Sequence, residues 1–215
     1  MMSKSPLLAV LPVALLLTWR SILPGSGPAA AQPLLVDNFE TYRVDGLPTK
    51  WKFIDSRQKA LPVTEDIMSE EEYFVIVEED GNKFLRAVTK DRAHRLMLLN
   101  EDLGGWDLEA FPRLRWEWRA MKLPAGARED AERTNDTGGA VYVTFSQDWL
   151  GRPKSIKYSY SSTLPVGTVV DYGRLKVIVV ASAKDGLGRW KTVERNVAED
   201  YRRVFGGDPP ERPLS

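Results

Sequence analysis

Pro112-Arg113-Leu114-Arg115-Trp116-Glu117-Trp118-Arg119, residues 112–119, alternates apolar and charged side chains from Arg113 onward. Backbone that sends successive side chains to opposite faces is extended. This stretch is therefore read as a β-strand with Leu114, Trp116 and Trp118 on one face and Arg115, Glu117 and Arg119 on the other. Each indole carries a large apolar area, and the chain has no cysteine with which to staple a thin core. The tryptophan face is expected to be the inner one. The charged face has two readings: a solvated ladder of ion pairs, worth little energetically, or the lining of a concave groove where the sheet curves.

The same short period recurs on both sides. Candidate strands are residues 34–40, 51–55, 73–79, 83–89 and 94–100 before it, and 140–146, 155–161, 174–182 and 190–196 after it. Asp80-Gly81-Asn82, between two β-rich runs, is a hairpin signal. The run 174–182 is expected to pair with 190–196 through the Gly-containing turn 184–188, and a brief acidic helical turn is expected within 67–72. One helix is signposted. Asn196 caps it with Glu199 three residues on, and Val197, Tyr201, Val204 and Phe205 form an apolar face. Gly206-Gly207 and Pro209-Pro210 close it. Many short strands with turn residues between them predict an all-β fold: an antiparallel β-sandwich of jelly-roll or concanavalin-like type with one short C-terminal helix.

Residues 1–31 stand apart. Lys4 precedes an apolar run from Leu7 to Trp19, and a Pro/Gly-rich segment ends in Ala29-Ala30-Ala31. That is the order of a secretory signal, with cleavage expected after Ala31. An uncleaved anchor is the alternative, because Arg20 and a long gap separate the apolar run from the alanines. The run is shorter than the roughly 20 residues that span a bilayer. The expectation is a periplasmic or secreted protein whose residues 32–215 form a single β-sandwich domain, with no membrane span after signal removal.

Lys plus Arg and Asp plus Glu number 30 each, so no basic excess points to nucleic acid. A single histidine, His94, and no cysteine leave no ligand set for zinc or an iron–sulfur cluster. His94 itself is read as structural or exposed. Oxygen ligands for Ca2+ are the remaining metal chemistry. The loop 125–139 offers Glu129, Asp130, Glu132, Asn135 and Asp136, of which Asp130, Asn135 and Asp136 are weak metal candidates. It lacks EF-hand spacing, and a solvated loop without metal or other cofactor is the expectation. Asp37, Asn38 and Glu40 raise the same question and are read as an ordinary strand start.

If the charged face of 113–119 lines a groove, neighbouring strands supply matching groups. Tyr142 and Thr144 alternate with Val141, Val143 and Phe145, and Tyr158 and Tyr160 alternate with Lys157, Ser159 and Ser161. The candidate ligand-binding set is Arg115, Glu117, Arg119, Tyr142, Tyr158 and Tyr160, suited to a hydroxyl-rich or anionic ligand. Strand register decides which tyrosines join the arginines. No catalytic residue is assigned. A glycoside hydrolase or polysaccharide lyase would need Glu117 to find a partner across strands, such as Tyr158 or Tyr160.

Taken in order, several landmarks resemble an exported bacterial family known as domain of unknown function 3047. They are Leu114-Arg115-Trp116-Glu117-Trp118-Arg119, Asn135-Asp136, Tyr142-Val143-Thr144-Phe145, Trp190, Arg195-Asn196-Val197, Asp200-Tyr201-Arg202-Arg203, Phe205-Gly206 and Pro209-Pro210. The resemblance covers most of the chain beyond residue 31 and implies a fold and a location, but no reaction. Members often carry two adjacent aspartates where this chain has Asn135-Asp136, and tend to continue past Pro-Pro into another strand. The end at Ser215 implies an open sheet edge, which invites pairing with another chain. The functional expectation is an exported, non-catalytic β-sandwich that binds a glycan or other cell-envelope component. A carbohydrate-cleaving enzyme and an assembly partner that uses the open edge are the alternatives.

Overall fold

A computed structural model describes residues 33–215, apart from 91–93, 132, 133 and 135. The expected signal segment and Asn135 lie outside the described residues. In chain order the strands are β1 (Lys52–Ile54), β2 (Ala60–Pro62), β3 (Tyr73–Glu79), β4 (Asn82–Val88), β5 (Leu96–Met97), β6 (Arg113–Trp118), β7 (Gly139–Gln147), β8 (Pro153–Ser161), β9 (Val169–Tyr172), β10 (Leu175–Ser182) and β11 (Lys191–Asn196). The helix α1 (Val197–Phe205) follows directly.

Side-chain alternation accounts for most of these elements. Along β6 the residues alternate exposed and half-buried, with the tryptophans on the half-buried side. In β3, Phe74 and Ile76 are buried between half-buried neighbours. Asp80 and Gly81 both take positive φ, 53° and 77°. This is the turn whose twist matches a two-residue hairpin, and β3 pairs with β4 across it. Asn196 Oδ1 accepts the Glu199 N–H at 3.1 Å, which caps α1 as its sequence predicts, and Val197 and Tyr201 are buried beneath it.

The fold is mostly β, built of several sheets. Their strand orders are β2-β1-β5, β7-β8-β10-β9, β11-β6 and β3-β4. In the four-stranded sheet β8 runs parallel to β10, while β7 and β9 run antiparallel to their neighbours. The strand β8 is buried from Ser155 onward on both faces. Its inner face carries Ile156, Tyr158 and Tyr160, and β6 packs there: Trp116 lies 5.5 Å from the Tyr158 ring and Trp118 5.2 Å from Tyr160. The tryptophan face is thus the inner one. Both indole N–H groups are buried without an acceptor, so area and ring contacts hold them, each ring pair contributing about 1 kcal/mol beyond its burial.

Two expectations are corrected. First, β10 does not pair with β11. It pairs with β8 and β9, and β11 pairs with β6, placing Val193 opposite Trp116. The near-continuous apolar run of β10 is buried on both faces, as a central strand with a parallel neighbour requires. The turn after it carries the chain away from that sheet to β6. Second, residues 34–40 form no strand. The Asp37 carboxylate accepts the Phe39 N–H, the Tyr42 hydroxyl and the Trp51 indole N–H at 2.8–2.9 Å. A short acid that bonds its own backbone two residues on bends the chain. At the β7 edge, residues 214 and 215 meet Thr144. Leu214 N donates to Thr144 O at 2.7 Å, and Thr144 N to Ser215 O at 2.8 Å. The short strands β2 and β9 were not anticipated, because three or four residues carry too little periodicity to read.

His94 is structural. It is packed against Phe53 and Phe74, and its Nε2 lies 3.3 Å from the buried Glu72 carboxylate. The Asp37 cluster has a measurable consequence. Burial, then the bond to Asp37 and the nearby negative charge, push the Tyr42 hydroxyl up to about 12. Burial and Asp200 raise Tyr158 as well. A raised tyrosine keeps its proton in the folded state where the unfolded chain has lost it. Its stabilisation is complete below the unfolded value of about 10 and disappears as pH rises through the folded value. Thermal stability is therefore expected to fall between about pH 10 and about 12, with Tyr42→Phe losing less over that window. An equal loss in the variant would contradict the assignment.

Candidate functional site

The six sequence-derived ligand residues do not meet. Arg115 and Glu117 lie on the exposed face of β6, their side chains 3.6 Å apart. Glu117, with 56% of its side chain exposed, accepts the Thr192 hydroxyl at 2.9 Å. The neighbouring Arg113 donates to Glu194 at 2.9 Å. This face is the solvated, cross-paired ladder rather than a groove. Tyr158 and Tyr160 sit behind it, on the far side of the tryptophans, so Glu117 and these tyrosines form no acid–base arrangement. Tyr142 lies on the outer face of the four-stranded sheet, opposite Lys157. Arg119 is a joint: only 18% exposed, it grips Glu79 with bonds of 2.7 and 2.9 Å. Its guanidinium also lies 5.5 Å from the Phe84 ring and 4.9 Å from Trp190. It ties the β3–β4 hairpin to the end of β6.

Most described residues of the loop 125–139 are exposed, as expected, but Ala127 and Glu129 are buried. The loop lies against the outer face of the four-stranded sheet and inserts Glu129, which is fully buried. The Glu129 carboxylate accepts Ser159, Ser161 (2.6 Å) and Thr137 (3.3 Å) hydroxyls. Tyr172 donates to the Glu129 carbonyl, and Thr163 to the Ala127 carbonyl at 2.7 Å. Lys157 is buried on the same face. Burial pulls its ammonium below the usual lysine value, against the opposing pull of Glu129 and Asp136. The serines are on this face because β8 alternates, tyrosine inward and hydroxyl outward. Asp130 is engaged by Arg128 in two bonds of 2.9 Å, and Asp136 accepts the Thr137 N–H. Among the described residues no group of three metal-ligating side chains converges.

The site that does assemble lies where β11 faces β10. A cavity of about 240 Å3 is lined by Val166, Gly167, Val179, Val180, Thr192, Arg195 and Arg203, among others. Its shape has a local cause. The β8–β10 register shifts between Val179 and Ala181, so β10 bulges at Val180, and a bulge bends its strand. Segment 166–168 returns alongside, with Gly167 N bonded to Val179 O and Val179 N to Thr168 O, both at 2.9 Å.

One buried carboxylate organises the polar wall of this cavity. Asp200, with a side chain only 5% exposed, accepts the Tyr158 hydroxyl at 3.0 Å. It accepts Arg195 Nε at 2.8 Å and Nη2 at 2.5 Å. It also accepts Arg203 Nη2 at 2.9 Å. The bonds to Asp200 raise the already high Arg195 value further. Two guanidiniums share a single negative charge, so the wall carries a net positive one. Each fork has five donors, and among the described residues Asp200 takes two of those of Arg195 and one of those of Arg203. Glu194 also lines the cavity, and its carboxylate is paired with Arg113 at 2.9 Å.

Sequence reasoning missed this triad, although a signal existed. Asp200 occupies the i+3 position of the apolar stripe Val197, Tyr201, Val204. An acid inside an apolar helix face calls for a buried cation, and Arg195 and Arg203 are the near ones.

Comparison with known families gives a match over most of the described chain. Residues 62–213 match the model of the family described as "Protein of unknown function (DUF3047)". The match spans most of the chain, which therefore belongs to this family. Neither the comparison with curated proteins nor that with solved structures found a match. Among the described residues no helix is long and apolar enough to cross a membrane.

Proposed function

We propose that this is an exported, non-catalytic binding protein, a β-sandwich of jelly-roll or concanavalin-like type, and that it holds an acidic glycan or similar envelope component in the cavity between β10 and β11. The observation that carries the reading is the Arg195–Asp200–Arg203 wall, with its surplus positive charge and donors beyond those that Asp200 takes, facing a space of about 240 Å3. Arginine forks match carboxylate geometry in pairs of parallel bonds. A sugar-sized ligand bearing a carboxylate would meet them on one side and the Thr192 strand and Val166–Gly167 on the other. The two layers joined through the tryptophans, and the signal-like residues 1–31, support the finer fold and the location.

Calorimetric titration with glucuronate and galacturonate oligosaccharides, against their neutral counterparts, tests this. The acidic series is expected to bind. Arg203→Ala, which keeps the Arg195 pair with Asp200, is expected to weaken it about ten-fold, the effect of one lost charge-assisted contact of about 1.4 kcal/mol. Arg115→Ala, on the solvated ladder, is expected to leave binding unchanged. Equal binding of neutral and acidic sugars, or no binding by either, would overturn the reading.

A further inference from the structure

The turn between β7 and β8 presents Trp149 and Leu150 to solvent, 89% and 55% exposed. Soluble proteins ordinarily hide an indole, which carries one of the largest apolar areas of any side chain. The exposure here is not looseness. Asp148 N bonds to Arg152 O at 3.1 Å, and Gly151 N to Asp148 O at 2.9 Å. Asp148 Oδ1 accepts the Leu150 and Arg152 N–H groups at 3.0 and 2.9 Å. Gly151 takes φ 75° to close the turn. The apolar pair is thus held outward by a fixed backbone.

Two arginines meet the carboxylate at the base of this turn. Arg152 Nε donates to Asp148 Oδ2 at 2.7 Å, and Arg174 Nε lies 3.9 Å from the same oxygen. One carboxylate between two guanidiniums leaves the turn net positive. Lys154 follows on β8, its ammonium donating to the Tyr201 hydroxyl at 2.6 Å.

From this combination we infer that the β7–β8 turn is a docking tip for an anionic lipid surface. A two-residue convex spike is far too small for a stable protein interface, which takes about 800 Å2 per partner. It does suit a fluid surface that closes around it. Tryptophan favours the headgroup level of a bilayer, leucine adds apolar area beneath it, and arginines beside the tip meet lipid phosphates. The tip is separate from the cavity that Arg195 and Arg203 line, so the inference does not depend on that site.

Sedimentation of the full chain with vesicles of phosphatidylcholine alone, or with an added third of phosphatidylglycerol, tests it. Binding to the anionic vesicles is expected, falling as salt rises, with weaker binding to the neutral ones. The double variant Trp149→Ser, Leu150→Ser is expected to bind at least ten-fold more weakly with an unchanged melting temperature, since both side chains are exposed. Arg152→Ala is expected to reduce the salt dependence. Three results would overturn the inference: no binding of the unaltered chain to anionic vesicles, binding that survives the double variant, or concentration-dependent self-association that the double variant abolishes. The last would make the tip a contact between copies of the chain.

Discussion

Asp200→Ala is expected to destabilise the protein by about 4 kcal/mol, within the range for breaking a buried charge cluster by removing one partner. The magnitude follows from what the change leaves behind. Tyr158 is fully buried, and its hydroxyl would lose its acceptor. Arg195 and Arg203 would keep their charges side by side without the carboxylate that separates them. The damage would spread through packing, because Tyr158 also supports Trp116. Urea unfolding monitored by tryptophan fluorescence checks this through a fall in the midpoint. Asp200→Asn separates charge from shape: it retains an acceptor for Tyr158 while leaving the guanidiniums unneutralised, so an intermediate loss is expected. A loss under 1 kcal/mol in the alanine variant would show that the two arginines turn outward to solvent unaided, and the positive wall of the cavity would no longer be a fixed feature.

Glu129→Ala is expected to destabilise by about 3 kcal/mol, each unsatisfied buried group costing about 1–3 kcal/mol. Ser159 and Ser161, both fully buried, would lose the acceptor they share, and Lys157 would lose its nearest negative charge. A void the size of the side chain would adjoin them. The expected signature is local as well as global: residues 122–138 should become the first site of proteolytic cleavage, because Glu129 is their main anchor on the sheet. Unchanged cleavage in that segment would mean that the Tyr172 and Thr163 bonds to its carbonyls hold it without the carboxylate.

These two residues mark where sequence reading stops. Strands whose two faces differ were legible: β3, β4, β6 and β7 announce themselves by alternation, the Asp80-Gly81 turn by its backbone demands, and α1 by its cap. Pairing was not legible for β10 and β11. A strand buried on both faces has no alternation to assign it a neighbour, and the Gly-rich turn after it permits either a return or a crossing. The site was missed for a related reason. Glu129 sits in a stretch whose composition is that of solvated loops, and nothing local records that two serines of β8 wait beneath it. Asp200 was legible in principle, as an acid within an apolar stripe. Its partners are fixed by how α1 packs, and that is a tertiary fact. The arginines of β6 drew attention because their neighbours are tryptophans, yet the strand presents them to water.

The parallel pairing of β8 with β10 has a consequence for assembly. Between them in sequence comes β9, which occupies the far side of β10 and touches β8 nowhere in the sheet. With neighbouring strands spaced about 4.8 Å apart, β8 and β9 stand nearly 10 Å from each other in the finished sheet, and residues 175–182 fill the space between them. The backbone of β8 on that side is therefore matched only by a strand that lies later in the chain than the whole of β9. Because β9 pairs with β10 alone in this sheet, the hairpin of β9 and β10 is the natural unit to dock against β8.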